Sequence, residues 1–364
     1  MTFPRTLTTT LSVLTLFGCL ISCTWGSDRT VEVRTSEVPR LEFGDSFTLS
    51  APEDVYLQQI SQIKSDSKGR IYISDGRGLQ IHVFDAQGDY ISSIGREGEG
   101  PGEFRSLMNI YVDSNDKLYA FDISQARSTI FVEENNHWEP EKIFAVDGQR
   151  YGIESADADG NLILRQGIPK SLEPGVDWFR HELATGHLSS GLKERNALVF
   201  NDRDNIVSED NFMIPIPFGR TTITATDPTG NVYLIWNESF EVAAYDAGLR
   251  LLDSLRVPIP NQLVSLDERD EVINRMGSDF RSLVREHIPD TKPVISNLVV
   301  DGYRNLWLQT YDSPEYLVLG SEGSPLGSFD LQEGRQLLHV DTDQLYAVEM
   351  DEEGYHVHVI EYQL

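Results

Sequence analysis

The chain has 364 residues, 40% of them hydrophobic and 10% aromatic, which supplies a large core and excludes disorder as its default state. With 58 acidic against 30 basic side chains its formal net charge is -28, so nucleic acid is excluded as a partner and anionic lipid headgroups are repelled. Only two cysteines are present, Cys19 and Cys23, so no disulfide is expected beyond them.

The first residues read as an export signal. Arg5 is the only charge before Asp28, and residues 11–22 form a largely apolar run. That run is shorter than the roughly 20 residues a spanning helix needs, and it suits the core of a secretory signal. It ends in Leu20-Ile21-Ser22-Cys23, which resembles the lipobox of bacterial lipoproteins, where the cysteine becomes the lipidated first residue. Leu16-Phe17-Gly18-Cys19 is a poorer match. The expected organisation is a signal peptide over 1–23 that includes lipidated Cys23, a linker over 24–37, and a folded unit over 38–364. A lipid anchor makes the membrane a partner, at the periplasmic face of an outer membrane or at the cell surface.

From residue 66 onward one pattern recurs: an aspartate, a short turn, then an aliphatic–aromatic strand. Its copies begin at Asp66, Asp113, Asp157, Asp227, Asp301 and Asp341, spaced by 47, 44, 70, 74 and 40 residues. Asp227-Pro228-Thr229-Gly230 supplies the first, second and fourth residues that a type I turn favours. Gly69, Gly160 and Gly230 can take a positive φ there; Asp116 is a tolerable substitute, while Arg304 is not, so that turn is expected to differ. A second hairpin follows in each unit, most clearly over 81–91, 242–252 and 317–326. Two hairpins per unit give four antiparallel strands, and six units predict an all-β, six-bladed β-propeller.

Two of the spacings exceed one blade, and each insertion is expected in a loop. The second contains a helix over about 266–288, between blades four and five. Ser265-Leu266-Asp267-Glu268 is a capping box, Val272, Ile273, Met276, Phe280, Leu283 and Val284 share one face, and Pro289 stops it. Such a helix must lie against the blades. The last unit ends after residue 360 without room for a fourth strand, so residues 38–43 are expected to complete it and close the ring.

The stretch from Gly69 through Asp85, with Gly95-Arg96-Glu97-Gly98-Glu99-Gly100-Pro101-Gly102-Glu103-Phe104, resembles NHL repeats. The whole arrangement is similar to the bacterial six-bladed β-propeller lipoproteins related to them. The resemblance is strong over roughly 55–135, weaker from 220 onward and faint over 165–215; it implies fold and export, and no defined activity. The glycine-rich stretch is not a nucleotide loop, because no helix pattern follows it. It reads as a tight crossing between blades, with Phe104 filling the gap.

No nucleophile motif and no His-Glu-x-x-His or paired-cysteine metal site is present, so no catalytic residue, metal or cofactor is expected. His356 and His358 share a strand face and are spaced to ligate a metal, although solvated histidines of an edge strand are commoner. Just ahead of five inner strands sits a basic residue: Arg105, Arg150, Arg220, Lys292 and Arg335. A cationic ring at one channel mouth would focus anions, and arginine forks suit carboxylate or phosphate; pairing with nearby acids is the bland alternative. On the same face fall Asp75, Asp122, Gln166, Trp236 and Glu349, the aspartates as loop caps and Trp236 as a stacking platform or a buried propeller tryptophan. The first expectation is therefore an envelope binding or scaffolding propeller for an anionic small molecule, glycan or peptide. The alternatives are a metal-dependent lyase or hydrolase in the channel, and a structural propeller that binds a protein partner.

Overall fold

The computed structural model describes residues 27–30 and 38–364, apart from 147, 172, 211 and 353. The signal segment, Cys23 included, lies outside them. Each repeat folds into one antiparallel sheet whose strands run in order from channel to rim, and six sheets make a six-bladed propeller. Blade one is Ile60–Ser65, Ile71–Asp75, Gln80–Phe84 and Tyr90–Ile94. The inner strands of blades two to six are Leu107–Val112, Gly152–Ala156, Thr222–Thr226, Ile295–Val300 and Arg335–Val340.

The repeating aspartate explains why the pattern is so regular. Asp66, Asp113, Asp227 and Asp301 are buried. Each accepts hydrogen bonds from the amides two and four residues on, and from an aromatic side chain six residues on: Tyr72, Tyr119, Tyr233 or Trp307. One carboxylate thus satisfies the turn and pins the next strand's largest side chain between blades. Arg304 departs from expectation. It adopts φ 68°, like Gly69 at 74° and Gly230 at 95°, and its amide closes the same turn on the Asp301 carbonyl at 3.0 Å. Its Nε donates to the Tyr233 hydroxyl at 3.1 Å, a contact that offsets the strain.

The core is a set of six seams, one between each pair of neighbouring blades. Phe104 is fully buried in the first seam, as expected, beside Phe131. A Cβ on Gly95 would lie 2.3 Å from its ring, which is why the crossing needs glycine. Burying such a side chain contributes about 1.5–3 kcal/mol. Inner strands of adjacent blades diverge, so side-chain amides stitch them together. Gln62 accepts from the Ile110 amide (2.6 Å), Asn109 donates to Ile153 (3.4 Å), and Asn297 donates to Leu337 (2.7 Å).

The ring is closed by the N-terminal segment, with a register different from the one expected. Glu42–Thr48, rather than 38–43, is the rim strand of blade six, antiparallel to Tyr355–Gln363. Residues ahead of it reach further round the rim. Arg40 bridges Ser328 of blade five, and Ser27–Thr30, inside the expected linker, runs parallel to Leu251–Val257 of blade four. Ser50 then bridges Asp89 of blade one. The segment is a belt across four rims, each of which would otherwise present an open edge.

Both insertions also differ from expectation. The first is not a loop: it lengthens the outer strands of blade three to Gly175–His187 and Gly191–Val207 and adds Met213–Pro215. The second forms two helices, Leu266–Arg275 and Ser278–His287, broken at Met276-Gly277. The Ser265–Glu268 capping box is formed. Ile273 and Val284 pack on Ile206 and Ile216, so the helices lie on the extended part of blade three.

Candidate functional site

The loops that precede the inner strands gather at one mouth of the channel, and the predicted residues take distinct places there. Asp75 and Asp122 cap their own loops. Asp75 is fully buried and accepts from the amides of Gln58 (2.7 Å), Gln59 (3.1 Å), Arg77 (3.1 Å) and Gly78 (2.8 Å). Burial pushes its carboxyl up, but His82 and these amides outweigh that and hold it at about 2. Asp122 likewise takes the amides of Arg105 and Ser106 at 2.5 and 3.1 Å, with Gln125 beside it. In blade four Asn237 accepts the Thr221 amide in this role, while its neighbour Trp236 is half-buried with its indole nitrogen 3.3 Å from Glu238.

Four of the five basic residues have local partners. Arg105 pairs with Glu99 at 2.6 Å and Arg335 with Glu349 at 2.9 Å. Lys292 is 6% exposed and bridges Glu268 (2.5 Å) and Asp312 (2.7 Å), tying the helix capping box to blade five; bonds to these acids push it above the ordinary lysine range. Arg220 is 7% exposed and donates to the carbonyls of Phe218 and Thr291 at 2.9 Å and to the Thr291 hydroxyl at 2.6 Å. It is a strut between blade four and the helical insertion, and burial lowers its pKa. Arg150 alone of the five is exposed with neither ion pair nor hydrogen bond among the described residues.

Arg150 stands at the rim of a cavity of about 260 Å³ above blades two and three. Of the other polar groups there, Gln166 is placed on this face by its repeat position, while Arg165, His181 and Glu154 are not visible in the sequence. Arg165, which ends a repeat strand, donates to the Thr224 hydroxyl (3.0 Å) and sits 2.8 Å from His181 Nδ1, 3.4 Å from Asp202 and 3.6 Å from Glu154. Its guanidinium covers the Phe200 ring at 5.5 Å. Burial raises Asp202, but His181 and Arg165 more than compensate and keep it ionised. Glu154 reaches the channel because it is the extra residue of a β-bulge, and similar bulges fall at Ser61, Met108, Ser296 and Leu338 in four other inner strands.

Below this mouth a second cavity of about 180 Å³ runs down the channel and is lined by all six inner strands. Gln62, Asn109, Glu154 and Thr224 line both, so the two adjoin. Deeper in, burial pushes Lys64 below the ordinary lysine range, opposed by Glu154. Burial and Lys64 likewise push His339 down; its Nε2 is 2.8 Å from Ser65 Oγ. His356 and His358 lie apart from this space, 3.1 Å from Asp351 and Glu349 respectively, and among the described residues no three of His, Cys, Asp and Glu gather as a metal site requires.

Fold and channel define the class: a six-bladed β-propeller with one unpaired guanidinium, Arg150, among the five basic residues at one mouth of its channel. A family model described as a six-bladed β-propeller, DUF5128, matches residues 28–135, less than half of the chain. No curated protein matches the sequence. Among solved structures, the chain is similar to a Bacteroides fragilis protein described as exported, with 13% identity, 93% of this chain and 100% of that one covered, and a TM-score of 0.56. It is also similar to a member of the DUF4221 family from Bacteroides vulgatus, at 12% identity, 91% and 99% coverage and a TM-score of 0.52. Virginiamycin B lyase from Staphylococcus aureus matches at 9% identity, 88% and 99% coverage and a TM-score of 0.45. At these identities the likeness is one of fold alone.

Proposed function

We propose that the chain is an exported, lipid-anchored binding propeller that recognises an anionic small molecule, glycan or peptide at the channel mouth above blade three. The observation that carries this reading is Arg150: an unpaired guanidinium at a cavity rim, in a body of net charge -28. Arg165, Gln166 and His181 line the same space and supply further donors. Guanidinium forks favour carboxylate and phosphate, and a concave wall strengthens the attraction.

The test is a thermal-shift screen of the purified protein against organic acids, phosphates and acidic oligosaccharides, since a ligand that binds the folded state raises its apparent stability. Arg150→Ala should remove the shift. Arg105→Ala should not, because Arg105 is already neutralised by Glu99. Arg220→Ala should lower the melting temperature and keep the ligand-induced rise. A hit unaffected by Arg150→Ala would end this reading. The anchor is tested separately: Cys23→Ser should move the protein from the membrane fraction to the soluble envelope fraction, and unchanged partitioning would refute lipidation.

A further inference from the structure

Lys64 projects from the inner strand of blade one into the channel cavity. Its ammonium makes no hydrogen bond and no ion pair among the described residues. The one acid acting on it is Glu154, which also serves Arg165 at 3.6 Å. The remaining walls near it carry no compensating charge: Ser61, Thr226, Asn297 and Leu338 are neutral, and His339 is held uncharged. Lys64 is part-exposed, toward the channel, and the desolvation it suffers there without a partner is a cost that an anion in contact offsets.

The mouth and channel cavities share four lining residues, so this second cation lies in the cavity adjoining that of Arg150. Gln62, which lines both, precedes Lys64 by two residues on the same strand, placing the lysine deeper by about 7 Å at the usual strand rise. Between the two ends the wall offers the neutral polar groups of Gln62 and Asn109 beside Glu154, whose charge is paired with Arg165 at 3.6 Å. The Gln62 carbonyl is taken by the Ile110 amide, which leaves its NH2 free as a donor, and the Asn109 NH2 is given to Ile153, which leaves its carbonyl as an acceptor. The space is narrow, about 180 Å³ in its inner part.

Resting on the reading of the mouth as an anion site, we infer that mouth and channel together take a slender dianion of the α,ω-dicarboxylate class, one carboxylate on Arg150 and the other on Lys64. The chain between the carboxylates crosses the Gln62–Asn109 girdle. Charge at both ends, rather than at one, is the recognition element.

Calorimetric titration of the full chain with the dicarboxylates from succinate to sebacate, each against the monocarboxylate of equal length, tests this. The expected result is an optimum length within the series, at which the dicarboxylate binds at least tenfold more tightly than its monocarboxylate. Lys64→Met, similar in shape, and Lys64→Gln should both erase that advantage to within twofold while monocarboxylate binding persists and the melting temperature does not fall. Arg150→Ala should weaken both ligand types. Dicarboxylates no better than monocarboxylates, or an advantage that survives both Lys64 variants, overturn the dianion and leave the mouth site standing. No binding of either type overturns both.

Discussion

Asp227→Ala tests whether the repeat aspartate holds the blades together. Asp227 is 1% exposed and accepts five hydrogen bonds: from Thr229 N (2.9 Å), Thr229 Oγ1 (2.7 Å), Asn231 N (3.1 Å), Asn231 Nδ2 (2.8 Å) and Tyr233 OH (2.9 Å). A bond to a charged acceptor contributes about 1.5–3 kcal/mol, but the five do not add. Thr229 is exposed and Asn231 partly so, and water replaces much of what they lose. Tyr233 is 3% exposed; its hydroxyl would lose the only acceptor it donates to. Together these set the expected cost at about 3–5 kcal/mol. Asp157 provides the internal comparison. It is only partly buried, accepts from Asp159 N, Asn161 N and Asn161 Nδ2, and has Ile163 at the aromatic position, so its loss strands no buried hydroxyl. Asp157→Ala should cost about 1–2 kcal/mol. Urea unfolding of both variants, followed by tryptophan fluorescence and circular dichroism, gives the difference, provided the slope with denaturant is unchanged. Tyr233→Phe, which leaves Asp227 four donors, should cost about 1 kcal/mol. Equal costs for Asp227→Ala and Asp157→Ala would refute the argument that the aromatic donor, rather than the turn alone, makes these aspartates important.

Three further outcomes follow from the same structure. At Arg304, where φ is 68°, Arg304→Ala keeps the backbone strain and loses the bond to Tyr233, whereas Arg304→Gly relieves the strain; urea midpoints should place the alanine variant about 1 kcal/mol below the glycine one. At the rim of blade five, a Cβ on Gly327 would lie 2.2 Å from the Leu41 side chain, so Gly327→Ala should loosen the belt and speed proteolysis within residues 38–48; adding Leu41→Ala should restore resistance. For pH, His339 is buried and its folded pKa lies below the ordinary 6.5, so the unfolded chain takes up the proton first. The stability from keeping His339 neutral is complete above about 6.5 and is lost as pH falls, reaching a loss of about 2 kcal/mol at pH 5. His339→Gln should flatten the stability profile between pH 7 and 5. Asp75, held at about 2, acts separately: its contribution is present above its unfolded value of 3.8 and is lost only below that.

The blades were legible because their cause is local. A turn that needs Asp first and a positive φ fourth leaves a mark in any single repeat, and six marks at blade spacing define the ring. The aromatic six residues after each aspartate was equally visible in Tyr72, Tyr119, Tyr233 and Trp307, but its role as a donor to that aspartate emerges only when the strand folds back. The belt register was misjudged by a few residues because an exposed rim strand, with most of Glu42–Thr48 facing solvent, carries little hydrophobic pattern. The long hairpin of blade three has no counterpart in other repeats, so nothing in the sequence brought His181 and Asp202 to Arg165.

The basic residues ahead of the inner strands show where position stops predicting role. Sequence placed all five in loops at one mouth, but it could not say which would meet a partner. Arg220 braces an insertion, Lys292 anchors a helix, and Arg105 and Arg335 each meet a nearby carboxylate. In a chain with almost twice as many acids as bases, neutralisation is what any cation should find, so a count of cations at a mouth carries little weight. The informative groups at the mouth and channel are two that folding leaves without an acid in contact among the described residues: Arg150 at the rim, and Lys64 in the channel, where Glu154 is the one acid acting on it. Lys64 sits in an ordinary inner strand, two residues before the repeat aspartate, and only the closing of six blades turns a strand lysine into a charge that lines a channel.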